Sequence, residues 1–383
     1  MTSKRLKDKK VPNLRFPEFE GEWVTKKLGE IATFSKGKGI SKIDIEDNGK
    51  IECIRYGELY THYKEIINEI KSLTNVNEAD LIFSEVNDVI IPASGESAED
   101  IATASCVLKD KVALGGDLNI IKTNNNGVFL AYYLNNKKKL KIASLAQGVS
   151  VVHLYSSQLA TLSLNLPKLN EQKKISSFLA LLDERIQTQN KIIEELETLR
   201  DTLRNLLFKQ MSQEGNNTVQ IKEVLNYEQP SKYIVINTDY SSDTELTPVL
   251  TANKAFILGY TNENFDIYSK GQCVIFDDFT MAIKFVDFPF KVKSSAIKIL
   301  TAKDNINLKY IFEYLSFLKL ASSEHKRHYI SEVEQLFLIL PNENEQNKIA
   351  NLLTLIQNKQ DIEAQKNVLL TKQKNYLLSN LFK

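Results

Sequence analysis

Two stretches of the chain alternate apolar and polar residues, meet a proline, and then change period. The first is "LATLSLNLPKLNEQKKI" (159–175) and the second "EQLFLILPNENEQNKI" (334–349). Alternation with a period of two predicts a strand, and proline ends it because it cannot donate to a ladder. Asn170 and Asn344 then stand where a helix N-cap is expected, with Glu and Gln in the first turn. Neither glycine nor proline interrupts the helical stretch after either cap. In the first copy apolar residues fall at Ile175, Leu179, Leu182, Ile186, Ile193, Leu196, Leu203 and Leu207, with Gln189 and Arg200 filling two gaps. Steps of four and three make a 3.5-residue seam, which predicts a coiled coil. The second copy has a leaner seam of Ile349, Leu353, Ile356, Leu370, Leu377 and Leu381, with Gln360, Glu363, Asn367 and Lys374 between them. That seam is too polar for a helix standing alone, so the first helix is its expected partner. At about 1.5 Å per residue each helix is roughly 55–60 Å long.

The two copies are one repeat. Residues 162–209 lie over 336–383 without a gap, at a constant offset of 174. Leu162, Leu164, Leu166 and Pro167 match Leu336, Leu338, Leu340 and Pro341, and Asn170, Glu171, Gln172, Lys174 and Ile175 match Asn344, Glu345, Gln346, Lys348 and Ile349. Two unrelated amphipathic helices would not keep that register. The reading is a duplicated module of globular domain, strand, proline and long helix. Two such helices can pair antiparallel, with one domain at each end and an approximate two-fold between them.

The globular stretches support the duplication. Residues 15–167 contain strand-like "WVTKKLGEIATFS", "DVIIPAS", "CVLKDKVAL" and "LNIIKT", followed by helix-like "VFLAYYLNNKKKLKIASL". Residues 218–341 contain "IKEVLNY", "KYIVINT", "QCVIFDDF" and "SAIKIL", followed by "LKYIFEYLSFLKLASS". "SQEGNNT" (212–218) suits a boundary. The expected fold is α+β, with two domains joined by two long antiparallel coiled-coil helices in a pseudo-two-fold internal repeat. The expected divisions are 1–167, 168–211, 212–341 and 342–383.

Composition and charge narrow the function. With 43% hydrophobic and 25% charged residues the chain can build two or three cores. No apolar run approaches the roughly 18 residues a membrane span needs. "MTSKRLKDKK" is basic but leads into no apolar signal segment. Three scattered cysteines, Cys53, Cys106 and Cys273, fit a reduced cytoplasmic protein. Net charge is +1, and residues 210–344 carry 13 basic against 17 acidic side chains, so a nucleic acid would have to be met by local basic faces.

Catalytic patterns are scarce in the sequence. His325 and His328 lack a cysteine or carboxylate partner at zinc spacing. "SGES" (94–97) fails G-x-S-x-G because residue 99 is Glu, and "SKGKGISK" (35–42) lacks the phosphate-loop spacing. "EIK" (69–71) has no preceding Pro-Asp to make a nuclease motif. The expectation is a chain without catalysis, metal or cofactor of its own.

The opening "VPNLRFPEFEGEWVTKKLGEI" (11–31), the repeated "LP…NEQ-x-KI", the helix ends "LLFK" and "NLFK", and the stretch "AQGVSVVHLYSSQLATLSLNLP" (146–167) resemble the DNA-specificity subunit of type I restriction-modification systems. The resemblance covers nearly the whole chain, and the paired helix motif is its specific part. It implies two target-recognition domains, each reading one half of a split double-stranded DNA target. The helices would fix the unread spacer and dock two methyltransferase subunits. Restriction and translocase subunits would join them, with S-adenosylmethionine, ATP and Mg carried on those partners and none on this chain. The last turns of the second helix would take cover from Phe16, Phe19 and Trp23.

On that reading, loops rich in donors and cations are the candidate DNA contacts. In the first domain they are Lys36, Lys38, Ser41 and Lys42, with Gly37 and Gly39 allowing close backbone approach, then Arg55, Tyr56, Ser94, Ser97, Gln147, Ser150, His153 and Tyr155. In the second they are Tyr233, Lys254, Thr280, Lys284, His325, Lys326, Arg327, His328 and Tyr329. The bland alternative for each is a polar surface turn. For the whole chain the alternatives are a coiled-coil scaffold for protein clients and, further behind, a nuclease or methyltransferase acting alone.

Overall fold

The structure, a computed structural model, describes residues 10–148, 151–213, 217–251, 255–322 and 326–383. The chain packs into two compact units, one of residues up to Gln189 together with Lys366–Lys383, the other Asn190–Gln365. The first long helix runs Leu169–Gln213 and the second Glu343–Leu381. The expected divisions follow secondary structure, whereas the compact units follow packing and cut each helix near its middle.

In the first unit a five-stranded sheet runs in the order Ala32–Lys36, Leu118–Thr123, Val89–Pro92, Ser105–Val107, Ile66–Ile67. Its faces bury alternate residues, as a pleated strand requires. Val89, Ile91 and Ile121 face a core shared with Phe129, Tyr132 and Tyr133 of the helix Gly127–Tyr133, with Ile175 and Leu179, and with Leu377, Leu378, Leu381 and Phe382. Ile90 and Ile120 face a second core with Ile54 and Leu114 of the small sheet Ser72–Thr74, Ile51–Ile54, Ala113–Leu114. The strand Val24–Lys27 pairs antiparallel with Ser163–Leu166. The expected single strand "WVTKKLGEIATFS" is broken by one helical turn, Leu28–Ile31, which buries Leu28.

The second unit repeats this plan. Leu225–Glu228, Ile297–Ala302, Cys273–Asp277 and Ile283–Val286 form a four-stranded antiparallel sheet. A small sheet of Ile257–Thr261, Thr247–Leu250 and Lys291–Val292 again pairs its middle strand once antiparallel and once parallel. Thr218–Gln220 pairs with Phe337–Ile339, and Leu308–Leu318 covers one face.

The repeated proline joint has one buried device. Gln172 Nε2 donates to Pro167 O (2.9 Å), while its Oε1 accepts from the backbone of Asn126 (3.0 Å). Asn126 in turn caps the domain helix, its Oδ1 accepting from Phe129 N at 2.7 Å. Gln346 repeats the clamp on Pro341 O and Asn307 N, both at 2.9 Å, and Asn307 caps its helix through Tyr310 N (3.0 Å). Asn170 and Asn344 are therefore not the N-caps. The first helix already starts at Leu169, and in the second the cap is Asn342, whose Oδ1 accepts from Glu345 N at 3.1 Å. The helix must begin right after the proline for a glutamine five residues on to reach back to the proline carbonyl. The motif's glutamate serves the first unit: Glu171 is buried and accepts from Arg15 (2.7 and 2.8 Å) and Trp23 Nε1 (3.2 Å).

The expected cover on the last turns of the second helix is realised differently. Leu14 N donates to Asn380 O (3.0 Å) and Trp23 shares the core with Leu381, while Phe16 packs on Phe178 of the first helix (5.7 Å between rings).

In each unit the domain helix meets the first long helix through a polar contact. Asp183 pairs with Lys374 (2.6 Å) and accepts from the Tyr132 hydroxyl. In the second unit Glu313 is fully buried and takes Arg200 at 2.6 Å and Arg204 at 2.9 Å, and Arg200 also donates to Gln357.

Gln172→Ala orphans Asn126 N–H and Pro167 O, each worth about 1–3 kcal/mol when left unpaired inside a fold. Hydrogen exchange should then speed up over 126–133 in the variant, and unchanged protection there would refute the clamp. Cys53, Cys106 and Cys273 are buried, and burial pushes each thiol up to about 12. Iodoacetamide at pH 8 should modify none of the three in the folded chain and all three after guanidinium unfolding.

Candidate nucleic-acid interface

In the first unit the predicted loops converge on one end of the sheets. Gly37 abuts Leu114 and Gly115, so closely that a Cβ would lie 2.1 Å from Gly115 O. The close approach foreseen for this glycine is to its own chain. Gly115 N donates to Ile54 O (2.9 Å), next to Arg55, and Ala93 N donates to Asp117 O (2.7 Å). Leu154 N reaches Ala93 O at 2.9 Å, and Asn119 Nδ2 donates to Leu154 O at 2.9 Å. Ser94–Gly95 pairs with Val152–His153, and Gln147 and His153 exchange backbone bonds of 2.9 and 2.7 Å.

At that end Lys36, Lys38, Ser41, Lys42, Gln147, His153 and Tyr155 are exposed. Lys38 lies 3.5 Å from Asp80, Ser41 Oγ donates to Asp44 (2.6 Å), and the rings of His153 and Tyr155 stack at 6.4 Å. Tyr56 is half-buried beside Tyr60. Three assignments change. Ser94 is buried in the strand that pairs with Val152–His153; Ser97 is a helix cap, accepting from Asp100 N; and Arg55 is held by buried Glu58 at 3.2 Å. Ser150 lies outside the described residues.

In the second unit Thr280 is exposed on a turn whose amides, Phe279 N and Thr280 N, both donate to Asp277 Oδ1 at 2.9 Å. Lys284 is half-buried over the Phe256 ring (6.0 Å). Lys326 and Arg327 are exposed, with Lys326 Nζ 2.9 Å from Glu332. Tyr233, His328 and Tyr329 are corrected from contacts to framework. Tyr233 is buried and donates to Glu228 (2.9 Å). Tyr329 is buried between Tyr227 and Phe276. The buried His328 ring lies between Ser322 Oγ (2.7 Å) and Glu332 Oε2 (3.0 Å). Lys326, and next His328, hold the Glu332 carboxyl below its usual range. Hydroxyl, imidazole and carboxylate share the order of a hydrolase triad, and here the buried imidazole links Ser322 to Glu332. Lys254 and His325 lie outside the described residues.

On the helices Ile175, Leu179, Ile186 and Leu377 are buried in the first unit, with Leu182 and Leu370 half-buried. In the second unit Leu353 is buried, and Ile193, Leu196, Leu203, Ile349 and Ile356 are half-buried. The polar seam positions Gln189 and Glu363 are buried as well.

Among the described residues no group of three or more His, Cys, Asp or Glu could hold a metal ion, and no helix is long and apolar enough to cross a membrane. Asn119 and Lys298 lie outside the candidate loops, and Asp277 and Asp278 open the candidate loop "DDFTMAIK" (277–284) without being singled out; all four are buried and hold the loops without facing out. The signal for two of them is adjacent aspartates closing the apolar run "QCVIFDDF".

Comparison with known proteins fits this geometry. A family model described as type I restriction modification DNA specificity domain matches residues 20–198. The EcoR124I/EcoR124II specificity subunit of Escherichia coli is 50% identical over 125 residues, 31% of each chain. A putative type I restriction enzyme MjaX specificity subunit of Methanocaldococcus jannaschii is 24% identical over 377 residues, 89% of this chain and 83% of that one. The first three curated relatives are matched over less than half their own length, 31%, 45% and 44%. The crystal structure of a type I restriction-modification S subunit from M. genitalium superposes with a TM-score of 0.72 at 16% identity, covering 97% of this chain and 99% of that one. Residues 20–198 thus match the type I restriction modification DNA specificity domain, and the whole chain shares the fold of a type I S subunit.

Proposed function

We propose that this chain is the sequence-reading subunit of a type I restriction-modification complex and has no chemistry of its own. The observation that carries the reading is the shared frame. Both units hang their loops from the same end of the same strand order, yet present different residues there: His153 and Tyr155 in one, Thr280, Lys326 and Arg327 in the other. A fixed frame with unlike loops suits the reading of two unlike half-sites.

The two units act as target-recognition domains on an antiparallel helix pair with pseudo-two-fold symmetry. The internal polar contacts support this direction. From Asp183 to Arg200 the first helix advances 17 residues, and from their partners Lys374 to Gln357 the second goes back 17. The helices set the spacer and dock two methyltransferase subunits in the cytoplasm. S-adenosylmethionine, ATP and Mg belong to those and to the nuclease partners.

The test is to map methylated adenines in DNA from cells making the chain with its methyltransferase subunits. A split target is expected, and random or absent marking would sink the reading. Lys326→Ala with Arg327→Ala should weaken DNA binding and flatten its salt slope by about one for each phosphate no longer neutralised. Inserting four residues in a long helix, about 6 Å, should lengthen the spacer and leave both half-sites unchanged.

A further inference from the structure

The structure assigns Asp278, with Lys298, as the positioning pair that shapes the recognition loop of the second unit, and so sets base discrimination at one half-site without touching DNA. The inference rests on the DNA-reading proposal above.

Asp278 follows the end of the strand Cys273–Asp277 and is 1% exposed. Its Oδ1 accepts from His328 N (3.1 Å) and Tyr329 N (2.8 Å), and its backbone O accepts from His328 N (2.9 Å). Its other carboxylate oxygen, Oδ2, lies 3.4 Å from Lys298 Nζ. Lys298, also buried, stands on the neighbouring strand with its ammonium over the Tyr227 ring (5.6 Å). The backbone that carries exposed Lys326 and Arg327 is therefore pinned, immediately after Arg327, by a desolvated carboxylate. A buried charge of this kind is retained only with good partners, and here the partners are the loop amides and one lysine.

The residue before it holds the neighbouring turn. Successive side chains on a strand point to opposite sides, and Asp277 Oδ1 caps the turn that carries Thr280. Two adjacent aspartates thus fix the two loops that hold the exposed candidates of this unit. The first unit does the same work with neutral groups. Leu154 N donates to Ala93 O, where the second unit has His328 N on Asp278 O, and Asn119 replaces Lys298 on the neighbouring strand.

The experiment uses the full chain assembled with its methyltransferase subunits and a randomised duplex library, read by which adenines are methylated. In Asp278→Ala, discrimination at the bases of one half-site should fall by roughly tenfold or more, about the size of one base-pair mismatch. The other half-site should keep its sequence. Exchange at His328 and Tyr329 amides should quicken while the long helices stay protected. The double variant Asp278→Asn with Lys298→Gln keeps a carbonyl acceptor at the anchor, removes both charges together, and should recover most of the discrimination. Unchanged discrimination in Asp278→Ala, equal loss at both half-sites, or a double variant no better than Asp278→Ala would each overturn the assignment. A wild-type complex that selects no split sequence would instead overturn the DNA-reading proposal, and this inference with it.

Discussion

A buried glutamine amide has one acceptor and two donors, and in a dry interior it must satisfy them in fixed directions. Gln172 and Gln346 do this at the joint after each proline. Each ties three parts that come from different stretches of chain: the carbonyl at a strand end, the N-cap of the domain helix, and the first turn of a long helix. None of the three can shift without leaving a buried polar group alone. The long helices are thus built into the heads, and the angle at which each leaves its head is set by hydrogen bonds as well as by packing. Pro167 and Pro341 lie just past the paired strand residues, so their carbonyls are out of the ladder and accept from the glutamine.

The contacts further along the helices keep position but change chemistry. At the repeat offset of 174, Asp183 corresponds to Gln357 and Arg200 to Lys374. The first unit puts its acid on the long helix and a tyrosine, Tyr132, on the domain helix. The second puts a glutamine on the long helix and the acid, Glu313, on the domain helix. Each site meets one cation from the other long helix, and the second recruits Arg204 as well. Leu378 occupies the equivalent of Arg204 in the first unit and is buried in its apolar core. Exchanging the two helix halves would drive a guanidinium into that core and leave Glu313 with one partner fewer, a cost that favours the pairing seen.

The repeat, the two long helices and the strand–proline joints were legible because periodicity is a property of sequence alone. The apolar seam and its polar gaps at Gln189 and Glu363 came from counting. The N-caps were misplaced because Asn170 and Asn344 satisfy a local rule, while the helix start is decided by a side chain reaching back five residues. Tyr233, His328 and Tyr329 were taken for loop contacts because polar aromatic residues near turns look alike whether they point in or out. Their burial depends on Glu228, Asp278 and Tyr227, which lie 5, 50 and 102 positions away. Arg55 misled for a related reason: a cation in a loop looks free until its buried carboxylate is known.

The end of a sheet is where the ladder stops supplying partners to the backbone. Any loop leaving it must find acceptors for its amides from side chains or from its own turns. That requirement fixes where anchors stand but not their kind. A carbonyl and an asparagine meet it in the first unit; an ion pair flanked by a second aspartate meets it in the second. The exposed residues beyond the anchors carry no such duty, which leaves them free to differ. A duplicated chain can then diverge at its two loop ends while its joints and helices stay alike, and that is the pattern of similarity along this sequence.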